Sequence, residues 1–202
     1  MNTTQLPVGI ISRHIIQPRL DIYYPELAGL ENPQIEQHLN ARIMKQVKMM
    51  IRKQGYEENL QTTITGGFEM KNNQRDIVSL TNSHYSFSGG AHGITIQRSL
   101  TMDVKTGQVY SLKELFKPNS HYQQRLNELI KEQITSRDLP LLSDFTGIAP
   151  NQYYYIADKA LIIYFQLYEL LPYVYGFPYF PISVYDVQDI VIEDGPFGRM
   201  MY

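Results

Sequence analysis

Cysteine is absent from this chain of 202 residues. Disulfides, thiolate chemistry and cysteine-ligated zinc or iron–sulfur sites are therefore excluded, while either redox environment stays open. Charge of one sign is lacking too. Lys and Arg together number 18 against 20 Asp and Glu, so the net charge is −2 and there is no basic stripe for nucleic acid. No segment approaches the ~18–20 apolar residues a membrane span requires. The longest aliphatic and aromatic run is Ala160 to Phe165, and Met1 to Arg13 has no basic start followed by an apolar core, so no signal peptide is expected.

What is present suits a folded core, because 43% of the residues are hydrophobic. Residues 8–24 read as extended, with β-branched Ile10-Ile11 and Ile15-Ile16 and a break at Pro18. Asn32-Pro33 opens a helix whose apolar positions Ile35, Leu39, Ile43, Val47 and Met50 share one stripe, and Gly55 stops it. Arg42, Lys45, Lys48, Arg52 and Lys53 fall on the opposite face, either as a ligand surface or as a solvated helix face. From Gln61 the period changes to two. Gly66-Gly67 predicts a bulge or bend, Lys71 to Gln74 a turn, and Asp76–Phe87 and Ile94–Val104 two strands of a meander. Ser111-x-x-Glu114 and Ser120-x-x-Gln123 read as capping boxes for a short and a longer helix. Tyr153–Ile156 and Leu161–Phe165 predict a hairpin, Ile182–Ile192 a short helix or last strand, and the tail from Glu193 a loose end.

Two stretches stand apart. Between the meander strands lies His84-Tyr-Ser-Phe-Ser-Gly-Gly-Ala-His-Gly93, with more glycine than a hairpin needs. In one reading His92 and the glycine amides form a small binding concavity. In the other, His92 hydrogen-bonds nearby backbone and fixes the bend. The second stretch, Tyr168 to Pro181, carries six aromatics and three prolines, predicting a stiff irregular loop without regular strand pairing. Its tyrosines serve either as contacts for sugars or proteins, or as a cap on the sheet.

These stretches carry a resemblance. Tyr85 to Gly93, Ser99-Leu-Thr-Met-Asp103, Thr106-Gly107, Leu112-Lys-Glu-Leu-Phe116, Tyr164-Phe-Gln-Leu-Tyr-Glu-Leu-Leu-Pro-Tyr173 and Gly176-Phe-Pro178 resemble the domain of unknown function of RsiV-type anti-sigma factors and PdaC-type peptidoglycan deacetylases. The similarity covers about residues 60–190. It implies an α+β module that binds rather than catalyses, with lysozyme sensed by the RsiV-type members and peptidoglycan fragments as a second ligand class. It leaves the address open: cytoplasmic if Met1 is the native start, cell envelope if an anchor precedes it.

The expected fold is a single α+β domain, an antiparallel meander packed by two main helices. Residues 1–59 supply N-terminal strands and a helix, 60–192 the family-like core and 193–202 the tail. The candidate binding surface joins Tyr85, Ser88, Gly89, Gly90, His92 and Gly93 to Tyr168, Tyr173, Tyr175 and Phe177. No catalytic residue, cofactor or nucleic-acid partner is expected, and the oligomeric state is unspecified. The enzyme alternative is a metal-dependent hydrolase with His84, His92 and Glu169 as ligands. A further alternative is an intracellular interaction protein that has lost the family's ligand.

Overall fold

Pro18 and Arg19 turn the first extended run back on itself, with Arg19 in the left-handed region at φ 70°. The computed structural model describes residues 7–202, so Met1 to Leu6, part of the stretch read for a signal peptide, lie outside the described residues. The resulting hairpin is β1 (Gly9–Gln17) and β2 (Leu20–Ala28). Helix α1 (Pro33–Lys53) begins as expected: the Asn32 side chain accepts from the Gln34 and Ile35 amides, and Pro33 fills the first turn, where no amide is needed. Leu39, Ile43, Val47 and Met50 are its buried stripe, and the basic residues opposite are exposed.

Strands β3 (Thr63–Gln74), β4 (Ile77–Phe87) and β5 (Ile94–Asp103) complete a sheet in the order β1-β2-β3-β4-β5. All its pairings are antiparallel except one, the short parallel contact of Leu20–Ile22 with Ile64–Gly66. Parallel strands need a long crossover, and α1 supplies it between β2 and β3. The predicted bend at Gly66-Gly67 stays inside β3, and the irregularity falls between Met70 and Asn72 instead. The turn expected at Lys71 to Gln74 is also strand. Asn72 Nδ2 donates to Ile77 O at 2.7 Å, and the Asn73 amide accepts from Val8 N–H and donates to Val8 O. With those amides bonded to Ile77 and Val8 the strand continues, and the chain turns at Arg75-Asp76, both left-handed.

The described chain forms two compact units, one reaching to Val109 and the other Tyr110–Tyr202. In the second, Glu114 Oε2 accepts from both the amide and the hydroxyl of Ser111, so the first capping pair is made. The second pair is not: α2 (Tyr122–Ser136) starts after left-handed His121, and Ser120 Oγ has no partner among the described residues. Strands β6 (Tyr154–Ala157), β7 (Ala160–Tyr164) and β8 (Tyr179–Ser183) form a separate antiparallel sheet. The prolines were expected to preclude pairing after Tyr168, yet Tyr179–Ser183 pairs with β7 through Pro181. An edge strand tolerates this, because one side of it makes no ladder. Short 3₁₀ turns, not a helix or strand, follow Ser183, and the expected loose tail is held by fully buried Phe197 and Met200. The class is α+β, each sheet carrying one main helix.

Asn40 of α1 accepts from Leu27 N–H at 2.8 Å and donates to Leu27 O at 2.9 Å, closing a gap on the free side of β2. Replacing it with alanine leaves the N–H and C=O of fully buried Leu27 unpaired. Asn40→Ala is expected to lower unfolding free energy by about 1–3 kcal/mol in urea titrations.

Candidate functional site

Tyr85 controls the glycine-rich connection. Its phenol oxygen accepts from Gly93 N–H at 3.1 Å, tying the start of β5 to the end of β4. Glycine is required there by space: a Cβ on residue 93 would lie 2.2 Å from Ser86 O and 2.5 Å from the Tyr85 ring. Gly89 and Gly90 both adopt positive φ, and Ser88 Oγ meets Thr62 Oγ1 at 2.8 Å. His92 is exposed, with Nδ1 2.9 Å from the carbonyl of Gly93. Its ring thus engages local backbone, the arrangement of the bend-fixing reading.

His84 is turned elsewhere. It is fully buried on β4 opposite Gly66, where an added Cβ would stand 2.6 Å from the imidazole. Neither ring nitrogen has a hydrogen-bond partner among the described residues. Burial alone pushes its pKa down to about 4 from the usual 6.5, so the ring is neutral at physiological pH. Glu169, named beside it as a metal ligand, accepts from Gln166 N–H at 2.7 Å and closes its own turn. Among the described residues no three His, Cys, Asp or Glu side chains gather to hold a metal ion. A ligand set of His84, His92 and Glu169 is therefore not formed.

The aromatic segment belongs to the second unit and the glycine connection to the first. Tyr168 sits at φ 64° and stacks on Tyr173, ring centroids 5.3 Å apart and 27° from parallel. Leu170, Leu171 and Pro178 are buried and anchor the segment, while Tyr168, Val174 and Tyr175 face solvent. Val174, an aliphatic residue that aromatic composition does not single out, is 85% exposed. Phe177 is half-buried and tilts against Tyr179 at 6.5 Å. The tyrosines thus combine an open face with a backbone pinned from below.

Two family models match, one after the other: "Deacetylase PdaC" over residues 15–95 and "Protein of unknown function (DUF3298)" over residues 113–185. The two matches support the domain of unknown function shared by RsiV-type and PdaC-type proteins. Each match stays within one compact unit, the first before Val109 and the second after Tyr110. Among curated proteins, the chain is similar to "Anti-sigma-V factor RsiV" of Bacillus subtilis (strain 168). The two are 26% identical over 199 residues, covering 88% of this chain and 67% of that one. Two solved structures share the fold. A DUF3298 family protein from Pseudomonas aeruginosa PAO1 superposes with a TM-score of 0.73 at 15% identity, covering 94% of this chain and 96% of that one. A family member from Bacteroides fragilis NCTC 9343 gives 0.65 at 12% identity, covering 98% and 97%.

The glycine signal that sequence reasoning assigned to a bend at Gly66 instead marks the bed of the His84 ring. This has a pH consequence. The folded pKa lies below the unfolded one, so between pH 6.5 and about 4 the unfolded chain binds the extra proton. Stability contributed by the neutral ring is present above 6.5 and lost as pH falls through that window, by roughly 3 kcal/mol. In His84→Leu the urea midpoint should change less steeply over the same range; an unchanged slope refutes the assignment. For the connection itself, Gly93→Ala is expected to cost about 1–3 kcal/mol through overpacking, measurable by thermal melting.

Proposed function

We propose that this domain is a non-catalytic binding module and that the Tyr168–Phe177 segment is its contact surface. The observation that carries the reading is exposed Tyr168 stacked on half-buried Tyr173 on a pinned loop that also exposes Val174 and Tyr175. Rigid tyrosines offer large amphipathic area while losing little side-chain freedom on binding, which suits both sugar rings and protein side chains. The exposed Ser88, Gly89, Gly90 and His92 form a second polar surface on the first unit. The ligand classes follow from the family resemblance: cell-wall glycan fragments, or a wall-active protein such as lysozyme. A relative whose name is that of an anti-sigma factor supports a protein partner. No helix among the described residues is long and apolar enough to cross a membrane. Presentation at the cell envelope is part of this proposal and rests on the family alone.

The metal-hydrolase alternative receives no support from His84, whose ring nitrogens are buried beneath the sheet surface rather than open to a substrate.

Calorimetry of the intact chain against lysozyme and against soluble muropeptides tests the proposal. Saturable binding is expected with one of them, weakened about tenfold or more in Tyr168→Ala and Tyr175→Ala, the loss typical of a buried aromatic anchor. His92→Ala should change affinity less, because its ring is occupied by Gly93 O. Absence of heat with both ligands overturns the ligand assignment; binding that survives both tyrosine variants overturns the surface.

A further inference from the structure

Strand β1 is an outer edge of the five-stranded sheet, and most of it is exposed. Which of its backbone groups point outward can be fixed from its neighbour. Leu27, the register partner of Ile10, gives both its N–H and its C=O to the Asn40 side chain. Ile10 and Leu27 therefore do not bond each other. Arg19 O accepts from Ile64 N–H at 2.8 Å, which turns the odd positions of β2 toward β3 and agrees with that parity. Alternation along an antiparallel pair then directs the N–H and C=O of Ile10, Ser12, His14 and Ile16 away from the sheet. Among the described residues no hydrogen bond reaches these outward groups.

The side chains of the same strand form a near-palindrome. Ile10-Ile11-Ser12-Arg13-His14-Ile15-Ile16 reads almost the same from either end about Arg13. A two-fold axis through Arg13 places Ile10 opposite Ile16 and Ser12 opposite His14. Those are the residues whose backbone groups face out, so the parity required for a ladder is met without any slip. Ile11 then meets Ile15, and Arg13 meets its own symmetry mate. Like charges opposite each other would oppose this, but Glu26 Oε1 lies 2.6 Å from the Arg13 guanidinium and neutralises each one. Ile16 at 74% and Ile11 at 40% exposure gain apolar neighbours in the process.

We infer that β1 pairs with β1 of a second copy of this chain, antiparallel about Arg13, to give one continuous sheet through the two copies. Exposed edges are commonly blunted by lysine, proline or a covering segment. The free side of β2 is treated that way, with Pro25 lacking a donor and Asn40 covering Leu27, and the outer side of β1 is not. An interface of one strand edge is small, so the dimer is expected to be weak, with Kd on the order of 10–100 μM.

The cysteine-free chain makes the test clean. In a narrow antiparallel pair the two Arg13 Cα atoms would lie ~4.5 Å apart, within disulfide reach. Arg13→Cys should form the inter-chain disulfide under mild oxidation at least about tenfold faster than Gln17→Cys, whose mate across the axis lies far away. Sedimentation equilibrium of the unaltered chain should show a concentration-dependent dimer that Ile16→Lys abolishes while leaving the melting temperature unchanged. Equal cross-linking of the two cysteine variants overturns the inference. So does a chain that stays monomeric to about 1 mM, well above the affinity expected for so small an interface. Slow amide exchange of Ser12 and His14 at nanomolar concentration also overturns it, because the edge would then be covered within one molecule.

Discussion

Side-chain amides presented by α1 hold the first unit together as much as its apolar stripe does. Asn40 closes the free side of β2 at Leu27. Gln46 accepts from Asn82 on β4 at 2.9 Å and donates to Ser99 O on β5 at 3.0 Å. Beyond the helix end, Gln54 donates to His84 O at 2.9 Å. One element thus satisfies backbone or side-chain groups on three strands while Leu39, Ile43, Val47 and Met50 fill the space between. The geometry is coupled: the helix is also the crossover that makes the β2–β3 contact parallel, so the length of α1, its cap at Asn32 and the strand order depend on one another. A polar group left unpaired beneath a helix costs more than an apolar contact gains. The amide nitrogens of Asn40, Gln46, Gln54 and Asn82 all have defined acceptors, while Gln54 Oε1 and Asn82 Oδ1 have no partner among the described residues.

Elements whose signal is local were legible in the sequence. The Asn32-Pro33 start, the Pro18 break, the Tyr153–Phe165 hairpin and the strand after Gly93 all rest on residues adjacent in the chain, and each appears. Elements decided by distant partners were not. The run Lys71 to Gln74 has the composition of a turn, but its asparagines are occupied by Val8 and Ile77, and the strand continues. Pro181 reads as a strand breaker until its edge position is known. Ser120 has the right spacing for a cap, yet the chain enters α2 one residue later through a left-handed His121. The tail has no periodicity, and only the burial of Phe197 shows that it is held.

The candidate site divides along the same line. That glycine was needed around residue 90 could be read directly, whereas the identity of the group that excludes a side chain at Gly93, the Tyr85 phenol, required the fold. The aromatic segment was recognisable from composition, but its division into buried anchors and solvent-facing tyrosines was not. His84 illustrates the limit most clearly. Two histidines flanking a loop suggest a pair, but His84 is buried on β4 while His92 stands exposed in the connection beyond that strand's end. The two candidate surfaces are carried by separate units, each matched by its own family model.

The parallel contact between β2 and β3 spans only three register pairs, against nine in the β1–β2 hairpin. Mechanically this is a seam. Tension applied through the N-terminal end of the chain would load those few pairs before it loaded the long antiparallel ladders of β3, β4 and β5. The hairpin would part from the sheet as a piece once the burial of Leu20, Ile22 and Leu27 and the Asn40 and Asn73 amide clasps gave way, while the remaining three strands kept their register. The sheet is thus built with a yielding end and a stiff end, and the glycine connection lies at the stiff one.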